Sequence, residues 1–140
     1  MADKQEFSWP VRVYWEDTDA GGIVFYANYL KFFERARTEW LRSLGVNQRE
    51  LRESSDGMFV VGGATLDYHR PARLDDRIEV TACVAELGRA SLLLAQQAWL
   101  LDGEARAQLL CEGRIRIGWV DAARLKPVRI PQDILQVLTP

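Results

Sequence analysis

One stretch of this chain repeats its apolar residues with a helical period, and the segments after it change to a period of two. Tyr29, Phe33, Ala36, Trp40 and Leu44 follow one another at spacings of four, three, four and four, which lines a single helix face. Asn28 stands where an N-cap belongs and Gly45 where a helix closes. Leu30, Phe32 and Leu41 widen the stripe, while Lys31, Glu34, Arg35, Thr38, Glu39 and Arg42 fill the other side. A helix with so broad an apolar face must lie against something equally broad. A sheet is the natural partner, and the remaining segments have the alternation to make one.

Before the helix, Val11, Val13 and Trp15 alternate with Arg12 and Tyr14, which reads as a half-buried strand ending at an acid cluster. After it, Leu66 and Tyr68 alternate with Thr65, Asp67 and His69, and Ile78, Val80, Ala82 and Val84 alternate with Glu79, Thr81 and Cys83. "RPARLDD", with Pro71, is a turn between them. "ASLLLAQQAWLL" and "ARAQLLCEGRIRIGWV" read as two longer strands joined through Asp102-Gly103, a strong hairpin signal. In the second, Ile115, Ile117 and Trp119 face one way, and Arg114, Arg116 and Gly118 the other. The expectation is an α+β fold: one long helix covered by an antiparallel sheet of about five strands. No repeat or linker divides the chain, and 140 residues bury roughly 68–70% of the unfolded surface, so one domain spanning 1–140 is expected.

Eighteen basic against 20 acidic residues give a net charge of −2, which argues against a nucleic-acid partner held by a broad basic face. An anionic ligand must then meet local arginines. Cys83 and Cys111 form no CxxC, and His69 is the sole histidine, so a Cys/His zinc site lacks ligands. Two buried thiols suit a reducing compartment. "MADKQEFSWP" has charges where a signal peptide needs an apolar core, and the longest uncharged run, 90–101, is too short to span a bilayer, so a cytoplasmic protein is expected.

The acid cluster is the chemical anomaly. "YWEDTDAGGIVFYANY" sets three acids within four positions, then two glycines, then apolar and aromatic residues. Asp17, Asp19 and Gly22 fall on positions one, three and six of a calcium loop, but position five is Gly21 and position twelve is Asn28, so no metal site is expected. A solvated turn has no need of the greasy segment beside it. A carboxylate beside backbone donors at a helix start has the parts for acyl chemistry: one group to attack or activate water, another to hold the oxyanion. None of Ser8, Ser43, Ser54, Ser55 or Ser91 sits in G-x-S-x-G, so the serine route is set aside, and His69 reads as a sheet residue.

"YWEDTDAGGIVFYANYLKFFERARTEWLRSLGV", "YHRPARLDDRIEV", "LGRASL" and "VDAARLKPVRIP" together resemble the hotdog-fold 4-hydroxybenzoyl-CoA thioesterase family, closest to its bacterial Tol-Pal-associated acyl-CoA thioesterase branch. The resemblance covers nearly the whole chain. It implies a long helix wrapped by a curved antiparallel sheet, and hydrolysis of an acyl-CoA, whose CoA is substrate and not cofactor. It implies Asp19 as the catalytic carboxylate, the Tyr26 backbone N–H as the carbonyl polariser, Gly22 for close approach and Asp17 to orient the loop. Many members of the Tol-Pal branch have histidine where this chain has Tyr26; a backbone role survives that difference. "LGRASL" implies Arg89 and Ser91 at the CoA phosphates, with Arg124, Lys126 and Arg129 as further candidates or a solvated tail. The resemblance also implies a homodimer joined edge to edge, a homotetramer, and acyl carrier protein or lipid-synthesis enzymes as partners.

A thioester expels a thiolate whose conjugate acid has a pKa of about 8.5, so strong acid assistance is unnecessary and an aspartate can suffice as nucleophile or general base. The rival enzyme is a hotdog hydratase or dehydratase, disfavoured by the absence of a histidine around Asp19. A non-catalytic acyl-CoA or acyl-carrier-protein binding module is the other alternative.

Overall fold

Five strands, β1 (Phe7–Arg12), β2 (Gly57–Tyr68), β3 (Arg77–Leu87), β4 (Ser91–Asp102) and β5 (Ala105–Asp121), form one antiparallel sheet in the order β1-β3-β4-β5-β2. The computed structural model describes residues 5–139. The long helix α1 (Tyr29–Ser43) lies on the inner face of β1, β3 and β4. Tyr29, Phe32, Phe33, Ala36, Trp40 and Leu41 are buried against Ile78, Val80, Leu92, Leu94, Ile115 and Ile117, the inward residues of the alternating strands. Register shifts at Val61/Gly63, Val84/Glu86 and Ala98/Trp99 mark bulges, which bend strands and strengthen their twist. They let the sheet curve around the helix.

The helix stops where expected: Gly45 has φ +84° and its N–H returns to the Arg42 carbonyl at 3.0 Å. The β4–β5 hairpin also forms as expected, with Gly103 at φ +62° and Asp102 paired to Ala105. The first strand departs from expectation. It ends at Arg12, and Trp15, instead of continuing the alternation, is 78% exposed on a 3₁₀ turn, Trp15–Asp17. Leu30 leaves the core stripe and is exposed, and Cys83 is only half-buried, whereas Cys111 is fully enclosed; both remain thiols.

Two short helices add to the expected plan. The first, α2 (Gln48–Ser55), is capped by the Asn47 side chain accepting from the N–H groups of Arg49 and Glu50. The second, α3 (Gln132–Leu138), buries Ile134 and Leu138. It follows a segment tied back to the sheet by Val128 N–H to Trp119 O at 3.0 Å and Ile130 N–H to Arg89 O at 2.8 Å, so the C-terminal residues are no free tail.

Beneath α1, the buried Gln96 amide donates to the Phe33 and Thr81 carbonyls at 3.0 and 3.2 Å and accepts from the buried Arg37 guanidinium at 3.0 Å. Burial holds the Arg37 guanidinium pKa below its ordinary value, and the Gln96 bond compensates part of that desolvation. At the start of β2, a β-carbon on Gly57 would come within 2.4 Å of the buried Trp119 ring. Gly57→Ala is therefore expected to destabilise the fold by about 1–3 kcal/mol, read as a lower denaturation midpoint at unchanged slope.

Candidate active site

The connection from β1 to α1 is built around Asp17. Its side chain is only 3% exposed. One carboxylate oxygen, Oδ2, accepts the Tyr14 N–H at 2.8 Å, and the other, Oδ1, accepts the Asn28 amide at 2.8 Å. A carboxylate leaves water at tolerable cost only when donors meet its oxygens, and here both are met. The Tyr14 bond also explains the early end of β1, because it pulls the chain into the turn that throws Trp15 outward. The Asp17 carbonyl meanwhile accepts the Phe25 N–H at 2.9 Å, closing the base of a small loop.

Asp19 sits nearer the tip of that loop. Thr18 faces Val24 in an antiparallel bridge, Asp19 N–H donates to Ile23 O at 2.9 Å, and Gly22 N–H donates to Asp19 O at 3.0 Å. Oδ1 of Asp19 accepts the Gly21 N–H at 2.8 Å. The carboxylate is solvent-exposed, with Oδ2 uncommitted among the described residues. Gly22 has φ +79°, and the space above its α-carbon is open. Its glycine is accounted for by the left-handed turn itself. The loop is pinned to the segment before β3 by Val24 N–H on Ala72 O at 2.9 Å and by an Ile23–Arg73 bridge.

A 3₁₀ turn, Tyr26–Asn28, leads into α1. Asn28 holds the cap position but makes no cap bond; its side chain is spent on Asp17. The N–H groups of Tyr26 and Ala27 head this turn and have no acceptor behind them in it. Tyr68 donates its hydroxyl to the Tyr26 carbonyl at 2.9 Å, and its ring meets those of Tyr26 and Tyr29 edge-on at 6.2 and 5.8 Å. Beside α1, a groove of about 430 Å³ is lined by Leu30, Val61, Ala64 and Ile115, with Lys31, Glu34 and Arg37 around them.

Asp17, Asp19, Gly22 and Tyr26 thus share one short connection. Arg89 and Ser91 belong to a separate group at the β3–β4 turn, where Gly88 N–H donates to Ser91 O at 2.8 Å. Arg89 is exposed, and Ser91 Oγ accepts from Arg116 at 3.3 Å, whose guanidinium also reaches Glu86 at 3.4 Å. The Ile130–Arg89 bond brings the C-terminal segment, with Arg129 next in the chain, to the same turn. Sequence reasoning passed over Arg116, Tyr68 and the second use of Asn28. Alternation puts Arg116 on the outer face, but only register sets it near Ser91, and nothing local pairs Tyr68 with Tyr26. His69 is occupied by Glu112 at 2.8 Å. Burial pushes the Cys111 thiol up to about 12, which removes it as a nucleophile at neutral pH.

The thioesterase-like superfamily model matches residues 13–138. The acyl-CoA thioesterase YbgC of Haemophilus influenzae is 42% identical over 128 residues, 91% of this chain and 90% of its own. The acyl-CoA thioester hydrolase YbgC of Escherichia coli is 41% identical over 129 residues, 92% of each. Among solved structures, an aspartate-to-asparagine mutant of 4-hydroxybenzoyl-CoA thioesterase complexed with 4-hydroxybenzoyl-CoA superposes with a TM-score of 0.87, at 18% identity over 96% of this chain and 99% of that one. At that identity the match speaks for the fold, the hotdog arrangement of a long helix in a curved sheet. With a family model spanning nearly all of it and curated relatives above 40% identity, the chain belongs to the thioesterase-like superfamily.

Proposed function

We propose that this chain hydrolyses an acyl-CoA thioester to a free acid and CoA, with Asp19 as the catalytic carboxylate and the Tyr26 N–H as the oxyanion donor. One observation carries the reading. The N–H groups of Tyr26 and Ala27 open the 3₁₀ turn into α1 with no acceptor behind them in it, a few residues from the exposed Asp19. Those donors and the positive end of α1 suit an oxygen on which negative charge develops. Asp19 Oδ2 either attacks the acyl carbon or takes a proton from the water that does. The carbon–sulfur bond then breaks, and CoA leaves as a thiolate that needs little acid help; where Asp19 itself attacked, water then cleaves the mixed anhydride, releasing the acid and restoring the carboxylate. In this reading Asp17 holds the loop, and Gly22 gives it the turn that aims Asp19. No cofactor beyond the substrate's own CoA is required.

Arg89 and Ser91 are proposed to meet the CoA phosphates, for which a guanidinium is the suited partner. Arg89→Ala should then raise KM for an acyl-CoA about tenfold with kcat nearly unchanged, the signature of lost uniform binding. We also propose that two copies join through β2. The two sheet edges differ: β1 is six residues long with Pro10 inside it, whereas β2 runs for 12 residues with Val61 54% exposed. Pairing along β2 would close the apolar groove beside α1 into a slot for the acyl chain. A homotetramer and acyl-carrier-protein, Tol-Pal or lipid-synthesis partners rest on the family resemblance alone, and a cytoplasmic setting on the thiols, the charged N-terminal segment and the short uncharged run.

The test is thiol release by the purified protein from short, long and aromatic acyl-CoAs. Release from at least one class is expected. A protein that binds these molecules and releases no thiol from any of them is the non-catalytic binding module instead.

A further inference from the structure

The turn that carries the donor N–H groups is held from outside the helix, by a residue of the sheet. We propose that Tyr68 is a positioning residue for thioester hydrolysis: its hydroxyl, on the Tyr26 carbonyl, fixes the peptide plane that presents the Ala27 N–H as a second oxyanion donor beside that of Tyr26. This rests on the reading of Tyr26 given above.

The peptide bond is planar and trans. The Tyr26 carbonyl and the Ala27 N–H belong to one rigid unit and point opposite ways, so a bond that fixes the oxygen fixes the direction of the N–H. Tyr68 supplies that bond at 2.9 Å. Carbonyls at the start of a helix are served by N–H groups of the following turn; it is the N–H groups there that lack partners. The bond from Tyr68 therefore acts on the orientation and on the polarity of this unit. A donor at the carbonyl also polarises the N–H of the same unit, because hydrogen bonds in a chain strengthen one another.

The phenol is well placed to do this. Tyr68 is the last residue of β2, where Cys111 of β5 faces it, and its edge-on contacts with Tyr26 and Tyr29 limit the ring to a narrow range of positions. The residue is 46% exposed, so its presence is not explained by core packing. Burial of the hydroxyl end, with smaller contributions from Cys111 and Tyr26, holds the phenol above its ordinary value of 10.0. It is protonated, and so a donor, throughout the neutral range.

Tyr68→Phe removes the hydroxyl and keeps the ring, so the fold and the aromatic contacts are retained. In the thiol-release assay its kcat should fall about tenfold with KM within about twofold, less than the roughly 10²-fold that displacing a reacting group by an ångström costs. The thermal midpoint should stay within about 2 °C, as expected for loss of one partly exposed hydrogen bond. In the amide NMR spectrum the Ala27 proton and nitrogen should move upfield, while Gly21, bonded to Asp19, stays in place. An unchanged kcat, a kcat that falls without an Ala27 shift, or a loss confined to KM overturns the inference. Asp19→Asn run beside it separates the two levels: full activity in that variant removes the underlying reading, whereas an inactive Asp19→Asn with an unimpaired Tyr68→Phe removes this inference alone.

Discussion

In Asp19→Asn, kcat for acyl-CoA hydrolysis should fall by at least about 10²-fold while KM stays near the parent value, as expected when a positioned base or nucleophile is lost. The substitution is close to silent in structure. Its amide oxygen can still accept the Gly21 N–H bond that Oδ1 accepts now, so the turn over Gly21 and Gly22 keeps its shape. What changes is Oδ2, the exposed oxygen, which becomes an amide nitrogen with no lone pair to offer carbon or water. Because the residue is exposed and its one bond is conserved, the thermal midpoint should hold within about 1–2 °C. A variant as fast as the parent would mean that another group does the chemistry.

Asp17→Ala should do the reverse: damage the fold first and activity as a consequence. The buried carboxylate is the acceptor for the Tyr14 N–H and the Asn28 amide, both at 2.8 Å. Removing it leaves donors without partners in a site largely closed to water, at about 1–3 kcal/mol each. A total of about 3 kcal/mol is expected, which lowers the thermal midpoint of a chain of this size by roughly 10 °C. Without Asp17 the Tyr14 and Asn28 ends of the connection are no longer tied together, which loosens the loop that carries Asp19. In the folded fraction, kcat should therefore drop by about tenfold or more, with Asp19 and Tyr26 chemically intact. A variant as stable as the parent would show that the clamp contributes nothing to the loop.

Much of this architecture was readable because its period is simple. The helix stripe from Tyr29 to Trp40, the inward Ile78, Val80, Ala82 and Val84, and the turn at Gly103 all behave as their spacing says. The first half of β2 was not readable: "MFVVGG" is apolar without alternation, and it carries the bulge at Gly62. Trp15 misled because the residue that ends its strand, Asp17, acts through a side-chain bond that period analysis does not contain. For the same reason Asn28 looked like a cap. Its position was right, but the choice between a helix N–H and a buried carboxylate is made in three dimensions. α2 and α3 escaped because their polar faces dominate short segments, and α3 gains its place from Ile130, Ile134 and Leu138 meeting the core. In the loop, residue types pointed to acyl chemistry, while Tyr68 beside it, and Arg116 beside Ser91 at the other turn, are placed by register.

Strand order also has a temporal side. β4 and β5 close on a two-residue turn, but β1 must find β3 across most of the first half of the chain, Phe7 reaching Ala82. Contacts of large separation carry the larger closure entropy and come late. The segment from Tyr14 to Asn28 is anchored through Val13 to Asp76 and through Val24 to Ala72, so it acquires its shape only after that late meeting. Newly made molecules that have built their hairpins but not yet seated their first strand are thus expected to lack the proposed site, which would take shape with the last strand to dock.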